Sequence, residues 1–512
     1  MVSNTQPDTG RHELLDVHDP ATGDVIGQVP VHTEADVNAA VDRARVAAAT
    51  WAALDPNVRR DHLLAFRREL INRVDELCDL IHRENGKPRY DAIQELFLAA
   101  SHLTFAATRA PKVMKTRTVS SGILVNIKST VSHVPLGVVG VIGPWNYPVF
   151  TPMGSIGYAL AAGNAVVFKP SELTPLTGQA LADAFAAAVP IADVFQVVTG
   201  DGRTGGALSG AAVDKLAFTG SAATGRRVME AAARNLTPVV MELGGKDPLI
   251  VAADADVDAA ADAAVFGALT NAGQACVSVE RAYVVDSVYD RFLDKVVDGA
   301  STVRMGSDDD AQIGAITRPQ QVEKIRDQLE DAVSKGAKVL VGGPDAIEGS
   351  WVPPTVVVDV DTSMKLMQEE TFGPVLPVIK VGDAEEAIER ANNDGFNLGS
   401  AVFGSAGIRQ MADRIRAGMT AINSVMTFST ISALPFGGVG ESGFGRIHGD
   451  EGIKEFTLTK STAEQRFALP GMGAAFAPDN KAAYKQMKGM LGQLFGGGVV
   501  DKAESIVRRV RR

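Results

Sequence analysis

The sequence predicts an α/β protein with a parallel sheet covered on both faces by helices, a second α/β region after it, and a β-hairpin arm. Two observations carry this. Short, mostly apolar runs at 138–142, 165–168, 195–198, 215–218, 239–241 and 249–251 alternate with helical patterns, as a sheet buried on both faces requires. A chain of 512 residues with 46% hydrophobic content also exceeds a single core, which stops growing near about 250–300 residues. Two major domains are therefore expected.

In chain order, residues 1–17 read as loosely ordered, and Asp19-Pro20-Ala21-Thr22-Gly23 marks a turn between short strands. Amphipathic helices are predicted at 34–51 and 58–84; in the first, Val37, Ala40, Val41, Ala44 and Ala48 recur at three- and four-residue steps. Thr33 is its expected N-cap. A further helix is expected at 90–108, followed at 116–134 by β-branched residues around Ser120-Ser121-Gly122, which reads as a hairpin. An isolated hairpin is marginal in water, so this one is expected to meet a neighbouring subunit. The second α/β region runs to about residue 445, with helices near 287–300 and 320–335, and a last strand is expected at 455–460.

A net charge of −11 excludes a nucleic-acid partner for the body of the protein, because phosphate binding needs a basic face. Only Cys78 and Cys276 are present, too few for a disulfide framework, which fits a reducing, cytoplasmic location. Cys78 lies in an amphipathic run and reads as core. Residues 1–10 lack a leader pattern, and no apolar run reaches the ~18 residues of a spanning helix. No metal-ligand set is assigned.

Cys276 follows a helical pattern and sits among small residues on a turn before a strand, where reactive groups are displayed. The alternative is an inert core thiol. Upstream, Glu242 ends a strand just before Gly244-Gly245, which supplies a candidate base. A thiolate attacking a carbonyl needs an oxyanion donor and a base for a second step; the Asn146 amide, with the Cys276 backbone N–H, suits the first role, and a desolvated Glu242 the second. Gly220-Ser221-Ala222-Ala223-Thr224-Gly225 follows a strand and opens a helix, so its N–H groups could face a phosphate, although the spacing is not the usual dinucleotide fingerprint. Lys169 and Glu172 follow another strand end, where both could hold a ribose. A carboxylate there predicts NAD over NADP, with NADP as the alternative.

Taken together, Pro144-Trp145-Asn146-Tyr147-Pro148, Lys169-Pro170-Ser171-Glu172, Phe218-Thr219-Gly220-Ser221, Glu242-Leu243-Gly244-Gly245-Lys246, Gly273-Gln274-Ala275-Cys276 and Glu369-Glu370-Thr371-Phe372-Gly373-Pro374 resemble the aldehyde dehydrogenase superfamily in order and spacing across about residues 19–460. The resemblance implies an NAD-binding domain at 1–115 and 135–246, a catalytic domain at 247–445 and an oligomerisation arm at 116–134 and 446–460, in a homodimer or homotetramer. It implies Cys276 as nucleophile, Glu242 as general base and Asn146 as oxyanion donor. Cofactor contacts would come from Trp145, Lys169, Glu172, Gly220, Ser221, Gly225, Leu243, Glu370 and Phe372. The reaction implied is oxidation of an aldehyde to its acid through a cysteine thiohemiacetal and thioester.

Two positions depart from the family pattern. Ser155 stands where many members carry a lysine, and Gly154 where many carry a bulky aromatic, which predicts a wider substrate tunnel. Tyr147, Gly154, Met426 and Phe428 are expected to line it. The segment 422–434 has no Arg or Lys to anchor an acidic aldehyde, so apolar medium- or long-chain, or aromatic, substrates are expected. The alternatives are a succinate-semialdehyde-type enzyme and a coenzyme A-acylating one; Glu242 argues against the latter, whose members generally lack this base.

Residues 461–512 extend beyond the family's usual end. From Lys481 onward they carry eight basic residues against two acidic, with Tyr484, Met487, Leu491, Leu494 and Phe495 at helical steps before Gly496-Gly497-Gly498. A basic amphipathic helix predicts peripheral contact with an anionic membrane through 481–512; the alternative is packing on the acidic body or a neighbouring subunit.

Overall fold

The computed structural model describes residues 12–393, 395–468 and 480–495. It divides into two units: the chain up to Lys115 with His133–Thr459, and Thr116–Ser132 with the chain from Lys460 onward.

In the first unit a six-stranded sheet has the order Gly443–Phe444, Val239–Glu242, Lys215–Thr219, Val138–Ile142, Ala165–Lys169, Phe195–Val197. All neighbours run parallel except Gly443–Phe444, which is antiparallel to Val239–Glu242. The chain starts at the inner strand Val138–Ile142, builds outward on one side, then crosses to the other. The order therefore reverses beside that strand, where ligands of such sheets bind at the strand C-terminal ends.

Five of the expected runs lie in this sheet. The sixth, 249–251, does not: Asp247–Val251 pairs in parallel with Val279–Val285 and Ala401–Phe403 in a second, seven-stranded sheet. Apolar character alone does not say which sheet a buried strand joins. The change of sheet occurs at Gly244-Gly245, where a Cβ on Gly245 would collide with the carbonyl oxygen of Cys276. In the second sheet the edge strand Lys338–Val341 is antiparallel to Thr355–Val358.

Thr33 caps the helix Glu34–Ala53 in a reciprocal capping box with Asp36. The single helix expected at 58–84 is two, Pro56–Asn72 and Val74–Asn85, because Arg73 leaves helical geometry at φ −102, ψ 21. The long helix Arg89–Val113 packs on Phe150–Ala161, the helix that follows Asn146. Trp51, Phe66, Phe168, Phe185 and Cys78 are buried in the same apolar core.

In the second unit, Arg117–Val119 and Ile127–Pro135 form the expected antiparallel hairpin, with Thr457–Gln465 along the other edge of Ile127–Pro135. The last strand is thus shifted from the expected 455–460. Glu455 instead closes the helix Gly449–Glu455, which packs on Arg89–Val113 and Phe150–Ala161. A helix Asn480–Phe495 presents Tyr484, Met487, Leu491 and Phe495 to solvent. Residues 1–10, the side chain of Leu494, residues 496–498 and the basic residues from Lys502 lie outside the described residues.

Candidate active site

The residues singled out in the sequence gather at the C-terminal ends of four adjacent parallel strands. Glu242 ends Val239–Glu242, Gly220 and Ser221 follow Lys215–Thr219, Trp145 and Asn146 follow Val138–Ile142, and Lys169 ends Ala165–Lys169 with Glu172 just beyond. Parallel pairing brings these ends to one edge although more than 90 residues separate Asn146 from Glu242.

Cys276 leaves a strained turn. Asn271, Ala272 and Gly273 take left-handed φ of 52, 53 and 70, a conformation costing on the order of 1 kcal/mol for each non-glycine residue. Side chains hold it: Asn271 Nδ2 donates to the Gln274 carbonyl at 3.1 Å and to the Asn146 carbonyl at 3.0 Å, and Gln274 Nε2 donates to the Asn271 carbonyl at 3.1 Å. Gly273 is required because a Cβ would collide with the Gly373 carbonyl. Gly245 and Gly273 thus let the motifs around Glu242, Cys276 and Phe372 close on one another.

Cys276 and Glu242 line one cavity. Glu242 is 4% exposed and neither carboxyl oxygen has a hydrogen-bond partner among the described residues. Burial raises its pKa well above the carboxylate range, opposed by the nearby Arg446. Burial first, and the charges of Glu242, Asp247 and Glu370 after it, likewise hold the half-buried Cys276 thiol protonated to high pH. Asn146 is buried behind the cysteine loop, its Nδ2 donating to the Gln274 carbonyl at 2.9 Å. A carboxamide has two N–H donors, so this bond leaves one over.

The donor set at the strand ends fits a dinucleotide. Lys169 is 3% exposed, and its Nζ donates to Glu172 Oε2 at 3.3 Å; burial lowers its pKa while Glu172 opposes the shift. The Glu172 side chain stays open to solvent, with acceptor capacity to spare. Ser221 caps the helix Ala222–Ala233, its Oγ accepting from the Thr224 N–H at 3.3 Å. Gly220 and Gly225 also answer packing needs: a Cβ would lie 2.7 Å from the Phe218 ring and 2.9 Å from Leu243 Cδ2 respectively. Glu370 Oε1 accepts from the Gly245 N–H at 3.0 Å, and burial, then Glu280, raises its pKa to about 7. Phe372 stands edge-on to Trp145, ring centroids 5.4 Å apart.

Of the expected substrate-lining residues, Tyr147 and Met426 face the cavity. Phe428 does not; it is 6% exposed and its ring tip would lie 2.7 Å from a Cβ on Gly399, which makes it core. Gly154 does not open a wide tunnel either. A Cβ there would stand 2.7 Å from His448 Nε2, so an imidazole fills the space that a larger residue would take. Val425, Thr427, Ser429 and Thr430 supply the wall expected from Phe428.

Sequence reasoning missed several supports. Lys87 and Glu95, both with 0% side-chain exposure, pair at 3.1 Å; Lys87 Nζ also donates to the Asn146 carbonyl at 2.8 Å and lies 4.2 Å from the Tyr147 ring centroid. Glu280 accepts from the backbone N–H groups of Thr371 and Phe372 at 2.8 Å each and from Lys246 Nζ at 2.8 Å. Glu95 and Glu280 stand out only as charge beside apolar residues, and Lys87, in the polar segment 82–91, gives no signal at all.

A family model described as the aldehyde dehydrogenase family matches residues 6–462. The chain belongs to that family and is an NAD(P)-dependent oxidoreductase. It is similar to 4,4'-diapolycopene aldehyde oxidase of Methylomonas sp, 38% identical over 96% of this chain and 92% of the relative. Glutarate-semialdehyde dehydrogenase of Pseudomonas putida is 36% identical over 88% and 95%. Among solved structures, PnpE from Pseudomonas sp. WBC-3 superposes with a TM-score of 0.86 at 33% identity, covering 92% of this chain and 96% of that one, and a further crystal structure of PnpE contains nicotinamide adenine dinucleotide.

Proposed function

We propose that this enzyme oxidises an uncharged aldehyde, of apolar medium or long chain or aromatic, to the carboxylic acid, with NAD preferred. The observation that carries the substrate class is the cavity wall. Beside Cys276 and Glu242 it holds Asp91, Glu95, Leu98, Phe150, Phe266 and Met426, and no Lys or Arg among the described residues. A carboxylate-bearing substrate would find no cationic partner in that wall, and the Lys87 ammonium behind it is already paired with Glu95. The Methylomonas relative, named for 4,4'-diapolycopene aldehyde, supports the same choice. A second proposal, oxidation of an acid semialdehyde, is favoured by the name of the Pseudomonas putida relative.

With its thiol proton lost to solvent, Cys276 Sγ adds to the aldehyde carbon, and the Asn146 carboxamide with the Cys276 N–H donates to the oxygen as it gains charge. The carbon then gives up its hydrogen as hydride, leaving a thioester on Cys276. A bound nicotinamide supplies the two-electron acceptor. Trp145, Lys169, Glu172, Gly220, Ser221, Gly225, Leu243, Glu370 and Phe372 hold it, on the strand-end segment 135–246 and the loop at 370–372. Glu242 takes a proton from the water that frees the acid from Cys276. The domain roles expected from the sequence go with this: NAD binding at the six-stranded sheet, cysteine chemistry from 247–445, and subunit contact through the hairpin, whose Ile123, Leu124 and Val125 are exposed.

The test is NAD(P)H formation with octanal, benzaldehyde and succinate semialdehyde, with and without coenzyme A. We expect kcat/KM highest for octanal or benzaldehyde, no dependence on coenzyme A, and no activity in Cys276→Ser. A higher kcat/KM for succinate semialdehyde would replace the proposed class by the second one. Peripheral membrane contact through 481–512 is also proposed, on the solvent-facing Tyr484, Met487 and Leu491; equal pelleting with anionic liposomes by the full chain and a chain ending at Lys460 would exclude it.

A further inference from the structure

His448 lies in the cavity wall with Cys276 and Glu242, is 2% exposed, and neither ring nitrogen has a hydrogen-bond partner among the described residues. A neutral imidazole carries one N–H donor and one acceptor nitrogen, and buried polar atoms in native structures are nearly always paired. A ring left with both functions open beside a substrate cavity calls for a partner from outside the chain.

The surroundings hold this ring in place rather than satisfy it. Gly154 leaves the space that Nε2 occupies. The backbone of His448 takes φ 60, ψ 170, a region that favours glycine. Phe436, Phe150 and Tyr158 stand 5.5, 5.8 and 5.8 Å from it, ring centroid to centroid, and His102 at 4.0 Å. Tyr158 gives its hydroxyl proton to the Ser432 carbonyl at 3.2 Å, not to His448. Burial depresses the pKa of both histidines, that of His102 to about 4, so the ring facing the cavity is uncharged at neutral pH. It therefore offers no cation to a carboxylate. Nε2 lies against Gly154, and a hydroxyl, which both donates and accepts, can pair with the remaining nitrogen, Nδ1, in either tautomer.

We propose that His448 is a specificity residue that hydrogen-bonds an uncharged oxygen substituent of the aldehyde, a hydroxyl above all, with Gly154 as the glycine that admits it. This rests on the aldehyde oxidation proposed above and narrows its substrate class: among uncharged aldehydes, those carrying a hydroxyl are taken in preference to their hydrocarbon isosteres.

The test uses pairs in which a hydroxyl replaces a methyl: glycolaldehyde with propanal, lactaldehyde with 2-methylpropanal, and 4-(hydroxymethyl)benzaldehyde with 4-ethylbenzaldehyde, each referred to its free aldehyde concentration. For the native enzyme we expect kcat/KM to favour the hydroxyl member of at least one pair by about tenfold or more, since a site built to hydrogen-bond a hydroxyl rejects the analogue that lacks it. His448→Leu should bring that ratio to about one. His448→Asn, which keeps a donor and an acceptor, should retain part of it. Gly154→Ala should lower the ratio with the histidine still present, which keeps the test decisive if His448→Leu fails to fold. A merely structural role would reduce both members of a pair alike and leave the ratio unmoved. Native ratios all within twofold of one, or a preference that survives in His448→Leu, would overturn the proposal while leaving aldehyde oxidation standing; no NAD(P)H from any aldehyde would overturn both.

Discussion

Gly245 lies directly against the carbonyl oxygen of Cys276, so that any Cβ at position 245 would fall inside contact distance of that oxygen. The strand end bearing Glu242 and the loop bearing Cys276 are thereby fixed against each other through backbone alone. Gly245→Ala must push the cysteine loop away or unseat the turn after Glu242. Overpacking of this kind costs roughly 1–3 kcal/mol, and displacing a reacting atom by about 1 Å can cost around 10²-fold in rate. We expect a lowered unfolding midpoint and a kcat reduced by about two orders of magnitude; native values of both would refute this contact.

The pH dependence follows from two acids held protonated by burial. In the proposed reaction Cys276 must lose a proton to attack, and Glu242 must be ionised to accept one from water. Both pKa values are raised, so both active forms are scarce at low pH and accumulate as pH rises. We expect kcat/KM to climb through the neutral and mildly alkaline range as Cys276 ionises, and kcat to climb as Glu242 does; profiles of both level between pH 6 and 9 would contradict it. Glu242→Gln removes the base but not the nucleophile. Rapid mixing should then give a burst of NAD(P)H of about one per active site, followed by turnover some 10²- to 10⁴-fold slower than native.

The Asn146 carboxamide should matter to chemistry more than to binding. Its Nδ2 reaches the Gln274 carbonyl and a second N–H remains. Asn146→Ala should lower kcat by about 10²- to 10³-fold with a smaller effect on KM. A variant with native kcat would remove Asn146 from the oxyanion role.

What was legible in the sequence was what strand topology converts into proximity. Parallel strands deliver their C-terminal ends to one edge, so Asn146, Lys169, Ser221 and Glu242 could be read as neighbours from their positions after apolar runs. The run 249–251 was assigned to the wrong sheet because β-branched apolar strands look alike in either. Gly154 was misread because a glycine in sequence does not reveal what fills its space, and the occupant, His448, lies almost 300 residues away. Phe428 was misplaced because a resemblance to a lining loop does not say which of its side chains face the cavity and which the core behind it. Lys87 and Glu95 gave no signal beyond their charge, since a buried ion pair and a solvated one use the same residues.

That buried pair makes its own prediction. Lys87 and Glu95 are fully enclosed, Glu95 Oε1 also accepts from the Val149 N–H at 2.8 Å, and Lys87 steadies the Asn146 carbonyl. Lys87→Met leaves a carboxyl group buried without its cation, a change that typically costs about 3–5 kcal/mol. The single variant should unfold well below the native midpoint, and Lys87→Met with Glu95→Leu should regain part of the loss. If the double variant is no more stable than the single one, the destabilisation comes from lost packing rather than from the stranded acid.

The last prediction concerns cofactor choice. The Glu172 carboxylate stands beside the Lys169 ammonium at 3.3 Å with its outer face open to solvent, where it can accept from a ribose hydroxyl but would repel a 2′-phosphate. Lys169 is the group that could offset this repulsion, yet its ammonium is nearly buried and already paired with Glu172 itself. We expect kcat/KM for NAD to exceed that for NADP by about tenfold or more, chiefly through KM. Glu172→Ser should narrow the ratio from both sides, weakening NAD and admitting NADP, while Lys169→Met should weaken NADP more than NAD. Equal use of the two cofactors by the native enzyme, or a ratio unmoved by Glu172→Ser, would place the discriminating group elsewhere.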